Sequence, residues 1–198
     1  MPGRLWAFCY LRRSAVFTGR PRNLPTEYPP LSPPVPNRLT TSFMQSPDAL
    51  NAVAEFHRTF KHPILETPQL PPAARARLRV ALLREELDEL EAAIADADLV
   101  EVADALCDLQ YVLAGAVLEF GLGERFKALF DEVQRSNMSK ACRSVEEADA
   151  TVAHYAERDG TEAYVQQDGE KWLVYRTTDH KTLKNKNYSP ADLQSILR

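Results

Sequence analysis

Several absences narrow the field before any motif is read. No apolar run approaches the ~20 residues a membrane-spanning helix needs, because "AVLEFGLG" is broken by Glu119 and Gly121. A soluble protein with no membrane partner is expected. The three cysteines, Cys9, Cys107 and Cys142, are odd in number and widely separated, with no Cys-x-x-Cys pair and no histidine at zinc-ligand spacing. That argues against a disulfide framework or a zinc module and fits a reducing cytoplasm. The formal net charge of -4, with 26% charged residues, gives no global cationic surface, so nucleic acid is not an expected partner. No Gly-rich phosphate loop of the Walker type and no Ser-His or Cys-His arrangement is visible.

What is present is enough for a real core: 198 residues of which 44% are hydrophobic. Residues 1–43 stand apart. Arg4, Arg12, Arg13, Arg20, Arg22 and Arg38 face a single acid, Glu27, and prolines crowd "PRNLPTEYPPLSPPVP", so the segment is read as a disordered basic extension ahead of Met44, with an organellar transit peptide as the alternative. The remaining chain divides into a helical part at 44–140, a helix plus β-hairpin insertion at 141–180, and a basic tail with a short helix at 181–198.

Within the helical part, "SPDALNAVAEFHRTF" predicts a first helix with Ser46 as N-cap and Pro47 in the first position. After a Pro-rich loop a long helix runs from about Ala73 to Ile94, with Leu83, Leu87, Leu90 and Ile94 as its apolar stripe. "ADAD" connects it to a third helix, Leu99 to Phe120, whose stripe is Val102, Leu106, Leu109, Leu113, Val117 and Phe120, with Gly121 as the stop. A fourth follows in "GERFKALFDEVQRSNMSK". Short loops and no strands imply an all-α, antiparallel four-helix-type bundle. Beyond it, "SVEEADATVAHYAERDG" reads as a helix and "TEAYVQQDGEKWLVYR" as a hairpin turning at Asp168-Gly169, a small C-terminal α+β insertion.

The chemistry sits in the acids of the second and third helices. Each residue advances about 100°, so Glu86 and Glu89 neighbour each other at the edge of the core. On the next helix Glu101, Asp104 and Asp108 form one line with Val112 and Gly115, and no lysine or arginine lies between Leu99 and Gly123. Taken alone, "REELDELE" reads first as exposed helix surface. Carboxylates facing a bundle interior, however, are costly without a counter-ion, and a divalent cation removes that cost. Oxygen-only ligands favour Mg²⁺ or Mn²⁺. A di-iron centre would need Glu-x-x-His pairs, and none of His57, His62, His154 and His180 is near enough in sequence. Magnesium-dependent hydrolysis of a phosphoanhydride is the inference. Cys107, about 100° off the acidic line, is read as core packing, and Tyr111 as bundle packing.

"LLREELDEL", "EVADALCDLQYVLAG" and "FDEVQRSNMSK", in that order and spacing, resemble the MazG-like, all-α nucleoside triphosphate pyrophosphohydrolases, a group that includes phosphoribosyl-ATP pyrophosphohydrolases and dimeric dUTPase-like enzymes. The resemblance covers about Ala49 to Lys140, and the tail "LKNKNYSPADL" shares it. It implies cleavage between the α and β phosphates to a nucleoside monophosphate and pyrophosphate, with Mg²⁺ held by a Glu-x-x-Glu pair, here Glu86 and Glu89, and by a Glu-x-x-Asp pair. The second pair is ambiguous: Glu101 and Asp104 have the spacing, whereas matching "DLQYVLAG" to the family's segment makes Asp108 the aspartate and leaves Ala105 at the glutamate position. Asp104 and Asp108 are taken as ligands, with Glu101 in support. The resemblance further implies Glu85 or Glu86 beside the attacking water and Asn137 and Lys140 at the nucleotide. Lys184 is a further phosphate candidate, His57 borders the base pocket, and a homodimer is expected. The alternatives are a phosphoribosyl-ATP pyrophosphohydrolase and a non-catalytic helical module.

Overall fold

The computed structural model describes residues 45–198, so the readings made for residues 1–43 lie outside the described residues. Helix α1 (Ala49–Phe60) starts later than the sequence reading placed it: Asp48, not Ser46, is the N-cap, and its carboxylate accepts the Asn51 N–H. Pro47 therefore precedes the helix. Helices α2 (Ala73–Ala95) and α3 (Leu99–Glu119) form an antiparallel hairpin, the dominant packing unit of the described chain. Its turn is fixed by Asp98, whose side chain accepts from the N–H groups of Val100 (2.9 Å) and Glu101 (3.2 Å).

Helix α1 lies across the C-terminal half of α3, where Val53 and Ala54 meet Ala114 and Leu118, with Leu50, Ile64 and Tyr111 packed around them. The loop between α1 and α2 is pinned to the end of α3 by backbone bonds, Leu65 N–H to Leu118 O (3.0 Å) and Gln69 N–H to Phe120 O (3.1 Å). Gly121 closes α3 at φ +67°, and a Cβ there would sit 1.9 Å from the Thr67 carbonyl oxygen. Any side chain at 121 would therefore push this loop off the helix.

Among the described residues, the first four helices do not close into a four-helix bundle. After a single 3₁₀ turn at Gly123–Arg125, α4 (Phe126–Met138) leaves α3 at 111° and packs chiefly on the C-terminal helix α6 (Leu193–Leu197). Among the described residues the first core is built by α1, α3 and Ile64 of the loop that follows α1. Four of the ten residues of the two predicted apolar stripes stay outside: Leu87, Ile94, Leu106 and Leu113 are exposed. Cys107, read as core packing, is exposed as well. Among the described residues no single helix is long and apolar enough to cross a membrane.

The C-terminal third builds a second core. Helix α5 (Val145–Asp159) is capped by Ser144, which accepts the Glu147 N–H. It packs on the antiparallel hairpin of β1 (Ala163–Asp168) and β2 (Lys171–Arg176). Asp168 pairs with Lys171, so the loop is Gly169 and Glu170, one residue later than expected. Cys142, Ala148, Tyr155, Val174 and Leu183 make this core. Leu183 belongs to the tail, so segments 141–180 and 181–198 share one interior.

Candidate active site

Helix α2 turns toward α3 a stripe that hydrophobicity alone does not reveal. Arg75, Arg79, Leu82, Glu86, Glu89 and Ala93 follow one another at spacings of four and three, and each is buried or half-buried. The facing line on α3 is Asp108, Val112, Gly115 and Glu119. Between them, roofed by Val53, Phe56 and His57 of α1, lies a cavity of about 300 Å³. Glu85, Glu86, Glu89 and Asp108 line one end. Arg75, Arg79 and His62 line the other, with Phe56, Leu78 and Tyr111 along the walls.

The cationic end is held by a buried ionic knot. Glu119 is fully buried and accepts from both arginines: Arg75 through Nε (3.0 Å) and Nη2, Arg79 through Nη2. Burial by itself would raise the Glu119 carboxyl pKa, but the two guanidiniums outweigh it and hold it below its ordinary value. His57, 2% exposed, completes the knot. The Pro63 carbonyl (2.9 Å) can only accept, so His57 Nδ1 carries the proton. Nε2 is then the acceptor for Arg79 Nη2 at 3.3 Å. Burial, with Arg79 adding to it, lowers the His57 pKa and keeps the ring neutral. Two arginines against one glutamate leave this end of the cavity with one net positive charge. Gly115 makes the arrangement sterically feasible: a Cβ there would lie 2.7 Å from Arg79 Nη1 and 3.1 Å from His57 Nε2.

The residues singled out from sequence fall into three groups. Glu86, Glu89 and Asp108, all half-buried, and exposed Glu85 are brought together at the cavity. Glu101 and Asp104 do not line it and are exposed. Helix α1 has twelve residues and covers only the C-terminal half of α3, so the acidic line leaves the roofed region below Asp108. His57 lines the cavity, but both ring nitrogens are engaged by protein groups, which leaves its ring rather than its polar edge toward a ligand. Tyr111 also lines the cavity and meets Phe56 edge-on at 5.7 Å.

Asn137, Lys140 and Lys184 lie apart from the cavity in the same chain. Lys140 Nζ donates to Asn137 Oδ1 (2.9 Å), and Lys184 Nζ sits 4.4 Å over the Tyr188 ring. Their neighbours in "QRSNMSK" grip the tail instead: Ser136 Oγ shares a hydrogen bond with Tyr188 OH (2.7 Å), Arg135 donates to Ser189 and Pro190, and Ser139 Oγ accepts the Ser189 N–H.

The carboxylates at the cavity are hard oxygen donors suited by type to Mg²⁺ or Mn²⁺. Among the described residues, however, no three His, Cys, Asp or Glu side chains converge as a closed metal-binding group. Mg²⁺ does not require such closure: it commonly takes one or two carboxylates and completes its shell with water and phosphate oxygens.

Acids and arginines thus share one cavity between two antiparallel helices of a small all-α unit. Residues 53–137 match the model of the phosphoribosyl-ATP pyrophosphohydrolase family, one of the MazG-like all-α nucleoside triphosphate pyrophosphohydrolases. The match spans every cavity residue named above. An uncharacterized protein of Acanthamoeba polyphaga mimivirus is 24% identical over 254 aligned positions, covering 79% of this chain and 99% of that protein. That likeness extends beyond the helical segment.

Proposed function

We propose that the chain is a divalent-cation-dependent nucleoside triphosphate pyrophosphohydrolase that releases a nucleoside monophosphate and pyrophosphate. The observation that carries this reading is the meeting of Glu85, Glu86, Glu89 and Asp108 from two helices at one end of a single cavity. Glu86, Glu89 and Asp108 are the residues to hold Mg²⁺ or Mn²⁺, with Asp104 and Glu101 outside the roofed space as auxiliary acids. A bound cation would neutralise phosphate oxygens and lower the pKa of water. In this reading Glu85, at the rim, accepts the proton of a water attacking the α phosphorus; the bond to the bridging oxygen then breaks and pyrophosphate leaves. The carboxylates act by position and charge and form no covalent bond to substrate.

The functional unit in this reading is a homodimer. Val80, Leu87 and Ile94 on α2 and Leu99, Leu106 and Leu113 on α3 are exposed at strict seven-residue spacing, the pattern that packs helices side by side. The hairpins of two copies would together make a four-helix bundle. Helix α4, angled away from its own cavity, would carry Asn137 and Lys140 toward the partner's nucleotide. The reading places the protein in the cytoplasm, without a membrane or nucleic-acid partner.

The test is pyrophosphate release from a panel of nucleoside triphosphates and phosphoribosyl-ATP, with and without Mg²⁺ or Mn²⁺. Activity that needs the cation and drops at least about 100-fold in Glu86→Gln and Asp108→Asn, both still folded, supports it. No release from any substrate overturns it. Phosphoribosyl-ATP is the second reading, favoured by the arginines at the far end of the cavity, which suit a second anionic group.

A further inference from the structure

We propose that Arg75 determines substrate selectivity, reading an acceptor oxygen at the end of the substrate remote from the scissile anhydride. The inference rests on the nucleotide-hydrolase reading and adds to it what the cationic end of the cavity does. Along α2 the arginines precede the carboxylates by a set distance: Arg79 lies about 10 Å and Arg75 about 16 Å before Glu86, at 1.5 Å per residue. That span matches a nucleotide lying along the helix with its phosphates at Glu86, Glu89 and Asp108. The nucleoside then occupies the stretch walled by Phe56, Leu78, Leu82, Tyr111 and Val112 and ends at Arg75.

The donors at that end are specific in kind. A guanidinium offers five N–H groups and no acceptor. Glu119 takes Arg75 Nε and Nη2, and Nη1 makes no hydrogen bond among the described residues. Beside it, Arg79 Nε is buried without a partner. Arg75 is the more accessible of the two, with its side chain 29% exposed against 8% for Arg79. Arg79, tied to Glu119 and His57, is a positioning residue; Arg75 is held at its root by the same Glu119 and presents its outer edge to the cavity. One net positive charge and donors without acceptors select a ligand group that only accepts: the carbonyl edge of guanine, uracil or thymine, or the oxygens of a second phosphate. The amino edge of adenine, which presents a donor, is disfavoured.

Binding calorimetry in the presence of Mg²⁺, with α,β-methylene analogues of GTP, UTP and ATP, reads this without turnover, and kcat/KM over the substrate panel accompanies it. The wild-type protein should bind an acceptor-bearing ligand at least about 10-fold more tightly than the ATP analogue. Arg75→Gln should lower that affinity about 10- to 100-fold and lower that of the ATP analogue much less. Arg75→Lys, which keeps the charge beside Glu119, should fall between and covers a Gln variant that does not fold. Preference for the guanine or uracil analogue identifies a base carbonyl; selective loss of KM for phosphoribosyl-ATP identifies a second phosphate. Equal loss for all ligands, no loss, or no nucleotide binding by the wild type overturns the proposal. Selective binding without pyrophosphate release from any substrate would instead overturn the hydrolase reading and leave the role of Arg75 standing.

Discussion

At Gly115 two side chains from two other helices rest where a Cβ would stand, Arg79 Nη1 at 2.7 Å and His57 Nε2 at 3.1 Å. An alanine there must displace the knot, because Arg79 is pinned on one side by Glu119 and on the other by His57. Gly115→Ala should cost about 1–3 kcal/mol, seen as a lower midpoint in urea unfolding with an unchanged slope. Removing the central charge is costlier. Glu119→Gln leaves two guanidiniums at the cavity without their counter-ion and should destabilise by about 3–5 kcal/mol. The knot also makes stability depend on pH. His57 has a folded pKa below its ordinary 6.5, so the unfolded chain takes up a proton first as the pH falls. Stability is therefore lost from about pH 6.5 downward, and His62, lowered by burial and then by Arg75 and Arg79, adds to the same window. Glu119, held below 4.5, adds a second loss at lower pH. Thermal melts from pH 7.5 to 5.5 should fall steadily for the wild type and less steeply for His57→Gln. Of these residues only His57 was a site candidate in the sequence. The line Glu101, Asp104, Asp108, Val112 and Gly115 was legible, and one more turn reaches Glu119; its counter-ions come from another helix, where spacing within α3 says nothing about them.

Among the elements, α2 shows why hydrophobic periodicity misplaces a functional helix. The stripe of Leu83, Leu87, Leu90 and Ile94 marks a real face, yet the residues that meet α3 are Arg75, Arg79, Leu82, Glu86, Glu89 and Ala93. Four charges occupy an inward line because the interior there is a cavity with acids at one end and, at the other, an arginine pair that shares the single counter-ion Glu119. The Glu86 and Glu89 pair was legible because spacing alone puts both on one flank; the arginines were not, since an Arg at four-residue spacing is ordinary on a helix surface. The tail behaves in the opposite way. Leu183 and Asn185 point inward and Lys184 and Lys186 outward, and the backbone N–H groups of 184 and 186 donate to Tyr155 OH (3.1 Å) and Thr151 Oγ1 (3.1 Å). Its basic look thus comes from the outward half of an alternating strand-like segment. Further along, Tyr188 is the bolt to α4. Tyr188→Phe keeps the ring beneath Lys184 and removes only the hydroxyl that pairs with buried Ser136. It should cost about 1 kcal/mol and speed proteolytic cleavage beyond residue 187, with α2 and α3 equally protected in hydrogen exchange.

For the whole molecule, the sequence reading found the four helices of the all-α part, but among the described residues the fourth does not pack along the other three. The periodicity of α2 and α3 requires apolar neighbours on two sides, and the cavity side is only one of them. With α4 turned aside at 111°, the other side carries Leu99 at 79% exposure, Leu106 at 52% and Ile94 at 51%. Monomeric proteins rarely leave so continuous an apolar surface in water. The exposed residues recur every seven positions on two antiparallel helices, a spacing suited to left-handed packing against an identical pair related by a two-fold axis. A charge placed at the middle of each seam then separates assembly from folding. In the dimer Leu106→Glu must bury an unpaired carboxylate, whereas in the monomer the same residue already faces water. Light scattering after size exclusion should give twice the chain mass for the wild type and the single-chain mass for Leu106→Glu with Leu87→Glu, while circular dichroism shows helical content within about a tenth of the wild type. Pyrophosphate release should fall with the dimer, because the cavity would lose the Asn137 and Lys140 of its neighbour. A wild-type protein that runs as a monomer at all concentrations would mean that the apolar seams face something other than a second copy of this chain.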